Sequence, residues 1–237
     1  KAMKADGQRY DKPWLEPTGA NYLSLNGTWK LRWSEGAKPV LLGKDDFWGD
    51  GVSTEGAAWN DITVPSCLEM NGYGLPMYVN VDYPFEDQQP YVRMKAGLKN
   101  SVGSYRRDFT LPAGWENKRV FLHFDGIYSA AYVYVNGNEV GYTEGANNVS
   151  EFDITKYLRT GKNNVAVQVI RWSDGSYLEG QDMWHMSGIH RDVYLVATPK
   201  TYLADHYIKT TVTPGSTTVA TGSAATSVDL TVCNRDK

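Results

Sequence analysis

Apolar and polar residues alternate with a period of two through the middle of the chain. SYRRDFTL, KRVFLHFDG, SAAYVYVNG, EVGYT and NNVAVQVIRW each read as a short strand. The breaks between them are turn residues: Pro112-Ala113-Gly114, Asp125-Gly126, Asn136-Gly137 and Gly161-Lys162. In NNVAVQVIRW, Val165, Val167 and Val169 share one face and Ala166, Gln168 and Ile170 the other, as in a sheet with unequal sides. NYLSLNGTWKLRW adds strand and turn before them, with Asn26-Gly27 a pair that tolerates left-handed backbone. EFDITKYL fits one helical turn or a strand edge equally, and no stretch predicts a helix longer than about three turns.

Many short strands divided by turns indicate an all-β sandwich, two antiparallel sheets that hide one face each. Strand material runs from Leu23 to Ala197 with long loops between, which fits a jelly roll better than a small immunoglobulin-like unit. Residues 1–21 read as an extended arm and residues 22–200 as the sandwich. Residues 34–60 lack a clean period and carry Gly43, Gly49, Gly51 and Gly56, so a long loop is expected. Asp61 to Pro90, broken by Pro65, Pro76, Pro84 and Pro90, is expected to be a second one, of a length that usually carries function. After Thr198-Pro199-Lys200, HYIKTTVTPG and SVDLTVC are two further strands. Two strands cannot cover their own apolar face, so residues 201–237 are expected to open a second β domain that continues beyond this chain.

Charge narrows the partners. Twenty-four basic residues against 27 acidic ones leave a net charge of -3, with no pull toward nucleic acid or anionic lipid. No eighteen-residue apolar run and no signal peptide occur in the chain, and a soluble protein of either the cytoplasm or the periplasm is expected. Cys67 and Cys233 lie far apart in unlike contexts, and His123, His185, His190 and His206 do not fall at metal-ligand spacing. No dinucleotide, P-loop or GxSxG motif is present. Sixteen Tyr and eight Trp stand out, as core residues first and as platforms for sugar faces second.

Candidate chemistry gathers in RWSDGSYLEGQDMWHMSGIHRDVYL, which holds Asp174, Glu179, Asp182 and Asp192. Glu179 and Asp182 can reach the carboxylate separations of a glycosidase, but so can the acids of many loops. Structural roles are open to each. Asp174 can close its WSDGS turn, and Asp192 can be exposed or paired beside Arg191. Asp182, followed by MWHMSG, can be held half-buried as a hydrogen-bond hub. In PMYVNVDYP, Asn80 has an amide that can donate to and accept from a sugar hydroxyl, with Tyr78 and Tyr83 to flank the ring, or it can bond the loop to itself.

Taken together, SLNGTWKLRW, ITVPSCLEMNGYGLPMYVNVDYPF, GSYRRDFTLP, FDGIYSAAYVYVNGNEVGY and SEFDITKYLRTGKNNVAVQVIRWSDGSYLEGQDMWHMSGIHRDVYL resemble the N-terminal sugar-binding domain of family 2 glycoside hydrolases, closest to the branch of large β-galactosidases. The resemblance spans about residues 22–197. It implies a jelly roll in the manner of galactose-binding domains, followed by the first strands of an immunoglobulin-like domain. It also implies a retaining hydrolase whose two glutamates lie on a later (β/α)₈ barrel outside this chain, so that the chain alone is expected to be inactive. No catalytic residue is expected here. Asn80 and Asp182 are implied to contact the sugar of a β-galactoside, and Asp182 to share Na⁺ with ligands from the barrel. A catalytic-domain Mg²⁺ and a homo-oligomeric parent are implied as well. Asp82 and His190 depart from the family pattern, where Thr and Phe stand in the best-studied relative. Against this reading stand an autonomous carbohydrate-binding module, and a structural or oligomerisation domain of another family 2 hydrolase such as a β-glucuronidase.

Overall fold

The structure is a computed structural model that describes residues 21–36, 46–180, 182–215 and 222–234. The arm expected over residues 1–21 lies almost wholly outside the described residues, as does the Gly43 part of the first loop.

In chain order the strands are β1 (Tyr22–Ser24), β2 (Gly27–Ser34), β3 (Asn60–Val64), β4 (Met77–Val79), β5 (Val102–Thr110), β6 (Arg119–Phe124), β7 (Ile127–Tyr128), β8 (Ala130–Val135), β9 (Asn138–Thr143), β10 (Ser150–Asp153), β11 (Lys162–Ile170), β12 (Met183–His185), β13 (Gly188–Ile189), β14 (Val193–Thr198), β15 (Thr201–Thr213) and β16 (Ser223–Asn234). One α-helical turn, α1 (Ser176–Glu179), precedes β12. Two sheets make the sandwich, one ordered β1-β14-β6-β10 and the other β3-β2-β5-β11-β8-β9, antiparallel throughout. The chain passes repeatedly from one sheet to the other, as in a jelly roll.

Between the sheets lies one apolar core. Trp29, Leu31, Tyr105, Leu122, Phe124, Val133, Val165, Val167, Val169, Val193 and Leu195 all belong to it, and the odd-numbered valines of β11 point inward as their period requires. The other face of β11 is buried too. Ala166 packs with Phe47 and Tyr134 beneath Trp48 and Trp59, so part of the stretch expected as a free loop roofs the outer face of the larger sheet. Arg106 fixes that roof, its guanidinium donating to the carbonyls of Phe47 and Gly49.

Three stretches gain detail. Asn26-Gly27, the pair expected to tolerate left-handed backbone, joins β1 and β2, which belong to different sheets; Gly27, at φ +114°, carries the chain from one layer to the other. Its neighbour Asn26 locks the passage by accepting from the Val193 N–H at 2.8 Å and donating to Asp192 Oδ1 at 2.9 Å. The stretch Asp61 to Pro90 contains most of β3 and all of β4, and Glu151 to Leu158 divides between β10 and a 3₁₀ turn at Thr155–Tyr157.

β15 and β16 pair along nearly their whole length. Leu203, Ile208, Val212, Val228, Leu230 and Val232 remain exposed on them. Strand register places all six on one face of this hairpin.

Candidate functional site

Asn80 and Asp182 meet at the end of a two-stranded ribbon. β4 and β12 pair antiparallel with Val79 opposite Met183, Tyr78 opposite Trp184 and Met77 opposite His185. Asn80 follows β4 and Asp182 precedes β12, so both sit at the same end of the ribbon, next to the Val79–Met183 pair. Both are exposed. Asp182 adopts φ +53°, a left-handed conformation that Asp tolerates better than most residues and that turns the chain into β12. The Tyr78 hydroxyl donates a hydrogen bond to Asp182 Oδ1. That bond stabilises the neutral phenol beside the carboxylate and raises the Tyr78 pKa above its ordinary value. Among the described residues, none hydrogen-bonds the Asn80 side chain, which leaves the amide open to solvent.

Residues on the opposite side of the ribbon tie it to the sandwich. Met77 packs beside a cluster of Phe85, Trp172 and Tyr177. His185 is buried, with Nδ1 at 2.9 Å from the Tyr128 hydroxyl and its ring 4.9 Å from that of Trp172. Burial holds the His185 pKa below the ordinary imidazole value and pushes the Tyr128 phenol up to about 12, so both stay neutral at pH 7. Arg171, at the end of β11, donates to the Leu75 carbonyl at 2.7 Å and the His185 carbonyl at 3.4 Å, one at the base of each ribbon strand. Glu69 completes the clamp. Its carboxylate accepts from Ser187 N–H and Oγ, each at 2.7 Å, and lies 3.4 Å from Arg171 Nε.

Other candidates fall elsewhere. Asp182 is exposed rather than half-buried, because MWHMSG turns its buried residues, His185 and Ser187, toward the sandwich and leaves the tip of the ribbon in water. The Glu179 carboxylate accepts from the Ala146 N–H, at 3.2 and 3.3 Å to its two oxygens. Asp174 lies beside Glu144. Burial first, then that acidic neighbour, raises the Glu144 pKa. Asp192 pairs with Asn26 rather than with Arg191. Tyr83 is not a free sugar platform, for it stacks on Phe85 at 5.2 Å and donates to the Tyr177 carbonyl. Asp82 accepts from Lys95 at 2.7 Å, and no disulfide joins Cys67 and Cys233.

No group of three or more His, Cys, Asp or Glu side chains among the described residues comes together to hold a metal ion. Asp182 offers one carboxylate, with the Tyr78 oxygen beside it. This fits part of the oxygen-rich set a cation such as Na⁺ requires, and the remaining ligands would have to come from outside the described residues. No helix among the described residues is long and apolar enough to cross a membrane.

Two antiparallel sheets between which the chain crosses repeatedly define a jelly-roll β-sandwich domain, and comparison gives the class a family. The sequence model described as "Glycosyl hydrolases family 2, sugar binding domain" matches residues 22–199. The chain belongs to glycosyl hydrolase family 2. It is 43% identical over 189 residues to the beta-galactosidase of Priestia megaterium and 44% identical over 185 residues to that of Photobacterium profundum, alignments that cover 79% and 78% of this chain. The chain spans only 18% and 17% of the length of those relatives. Among solved structures, a beta-glycosidase from Bacteroides vulgatus matches with TM-score 0.64 at 21% identity, over 92% of this chain and 25% of that one. A beta-glucuronidase from an uncultured Clostridium matches with TM-score 0.64 at 23% identity, over 93% and 35%. At such identities the two structures support the fold alone.

Proposed function

We propose that this chain is the sugar-binding region of a retaining β-galactosidase and supplies Asn80 and Asp182 to the galactosyl subsite. One observation carries the reading. Two residues about a hundred positions apart are brought to the same exposed end of one ribbon, one a carboxylate that accepts from hydroxyls and the other an amide that can both donate to them and accept from them. The relatives named beta-galactosidase, at 43% and 44% identity, favour this substrate over that of the beta-glucuronidase matched at 23%.

On this reading neither residue transfers a proton or attacks the sugar. Acid/base and nucleophilic glutamates belong to a barrel outside the 237 residues, together with any Mg²⁺ they use. Asp182 accepts from sugar hydroxyls and shares Na⁺ with ligands from that barrel, and residues 201–237 open an immunoglobulin-like domain whose sheet covers the apolar face of the β15–β16 hairpin. The whole protein is a homo-oligomer.

The test is kinetic. In the enzyme that carries this chain with its barrel, Asp182→Ala and Asn80→Ala each lower kcat/KM for a nitrophenyl β-galactoside by roughly ten- to a hundredfold. Unchanged kinetics in both variants would overturn the assignment. Hydrolysis by the purified 237-residue chain, free of contaminating enzyme, would overturn the placement of catalysis outside it.

A further inference from the structure

Asp182 is an exposed carboxylate whose backbone, at φ +53°, turns the chain into β12. That turn places its Cα but leaves its side-chain torsions open. A carboxylate free to rotate in water must be ordered as a ligand binds, and the lost rotamer freedom lowers affinity. A neighbour that holds the group beforehand removes that cost.

Tyr78 is such a neighbour. Its hydroxyl donates to Asp182 Oδ1, and among the described residues no other hydrogen bond holds the Asp182 side chain. The donor is itself held in place. Tyr78 is the middle residue of β4, paired across the ribbon with Trp184 of β12, and their ring centroids lie 5.8 Å apart at 59°. A tyrosine has only two side-chain torsions, so a ring braced in this way fixes the position of its oxygen. At the base of β4, Arg171 binds the Leu75 carbonyl at 2.7 Å.

The fold has little need of this hydroxyl. Tyr78 is 50% exposed, a bond between solvated side chains adds little to stability, and Met77, His185 and Arg171 already tie the ribbon to the sandwich. What the hydroxyl sets is the orientation of the carboxylate. An ionised carboxylate has about four acceptor positions and Tyr78 takes one of them, so Oδ2 and the second lone pair of Oδ1 stay open to sugar hydroxyls. We propose that Tyr78 is a positioning residue for Asp182, holding the carboxylate in the orientation that receives the sugar without itself binding it. The inference rests on the galactosyl reading of Asp182 and adds a residue that acts through that carboxylate.

A double-mutant cycle in the enzyme that carries this chain with its barrel tests it. Tyr78→Phe, which keeps the ring, is expected to lower kcat/KM for a nitrophenyl β-galactoside by roughly three- to tenfold. The loss should divide between kcat and KM in the same proportion as that of Asp182→Ala. In the Asp182→Ala background Tyr78→Phe should change nothing further, since the group it positions is gone. In the 237-residue chain, the Asp182 Hα–Hβ couplings measured by NMR should report one χ1 rotamer, and rotamer averaging in Tyr78→Phe. Additive losses in the double variant would place Tyr78 on the substrate itself and overturn the positioning role. Couplings that Tyr78→Phe leaves unaltered overturn it too. Kinetics unchanged by Tyr78→Phe beside a loss in Asp182→Ala overturn it while leaving the galactosyl reading intact. No loss in Asp182→Ala overturns the reading of Asp182 and the positioning role with it.

Discussion

Glu69 is sealed from solvent and lies against Arg171, with Oε1 3.4 Å from Nε, while both of its oxygens accept from Ser187. A charge pair removed from water is held by Coulomb attraction and by hydrogen bonds, and losing one member leaves the other buried without compensation. Glu69→Ala is expected to destabilise the chain by about 3 kcal/mol or more in equilibrium urea unfolding. Glu69→Gln, which keeps an acceptor for Ser187, should cost less. A loss below about 1 kcal/mol for the alanine variant would show that the clamp is dispensable.

Gly180 sits where any side chain would crowd the His185 ring. A Cβ there would sit 2.0 Å from His185 Cε1. Because His185 anchors the base of the ribbon, Gly180→Ala is expected to cost roughly 1–3 kcal/mol in thermal or urea unfolding. Combining it with His185→Ala should cost less than the sum of the two single changes. Strict additivity would show that the crowding is relieved by some route other than His185.

Acid should weaken the fold before carboxylates titrate fully. His123, stacked on Tyr194 at 4.9 Å, is held by burial at a pKa of about 4 against 6.5 when unfolded. Glu151, half-exposed and 3.3 Å from Nε2, offsets little of that burial through solvent. The neutral ring is favoured in the folded chain, so its stabilisation is present above pH 6.5 and is lost as pH falls from 6.5 toward 4, by up to about 3 kcal/mol. Burial lowers His185 and His190 in the same direction. Urea unfolding at a series of pH values should show the loss, and His123→Gln should flatten the profile. An unaltered slope in that variant would reject the assignment.

The Tyr78–Asp182 bond has a spectroscopic signature. Tyr78 ionises above the ordinary phenol range because ionisation breaks its hydrogen bond and sets two anions together. In Asp182→Asn the Tyr78 transition should move down, as read by NMR titration of the ring, with no change in fold. Asp182→Val should be less stable by roughly 1–2 kcal/mol, since a β-branched residue is strained at φ +53°.

Alternation along the chain was enough to locate β5, β6, β8, β9 and β11, because each is long enough to show its period and ends at a turn residue. β3 and β4 were hidden. β3 spans five residues and stops just before Pro65, and β4 has only three, too few for a pattern. The pairing of β4 with β12 left no local trace, since nothing near Asn80 in sequence announces Asp182. Asn80 and Asp182 each stood out within its own stretch of sequence, but their place at one end of a shared ribbon follows only from that pairing. The exposure of Asp182 was misread because burial follows from which strand face meets the sandwich, and that face is set by a partner strand far along the chain. Trp184 sat in view within QDMWH, but only the register of the ribbon places it outward beside Tyr78.

The hydrogen bond from Tyr78 to Asp182 spans 104 positions of sequence. During synthesis at about 5–20 residues per second, Asp182 leaves the ribosome roughly 5–20 s after Tyr78 does. β1 waits similarly for β14, its strand neighbour in the smaller sheet. A nascent chain thus holds β4 and Asn80 with nothing opposite them until β12 arrives. A chain that stalls before residue 182 leaves the Tyr78 hydroxyl without its acceptor and β4 without its partner strand.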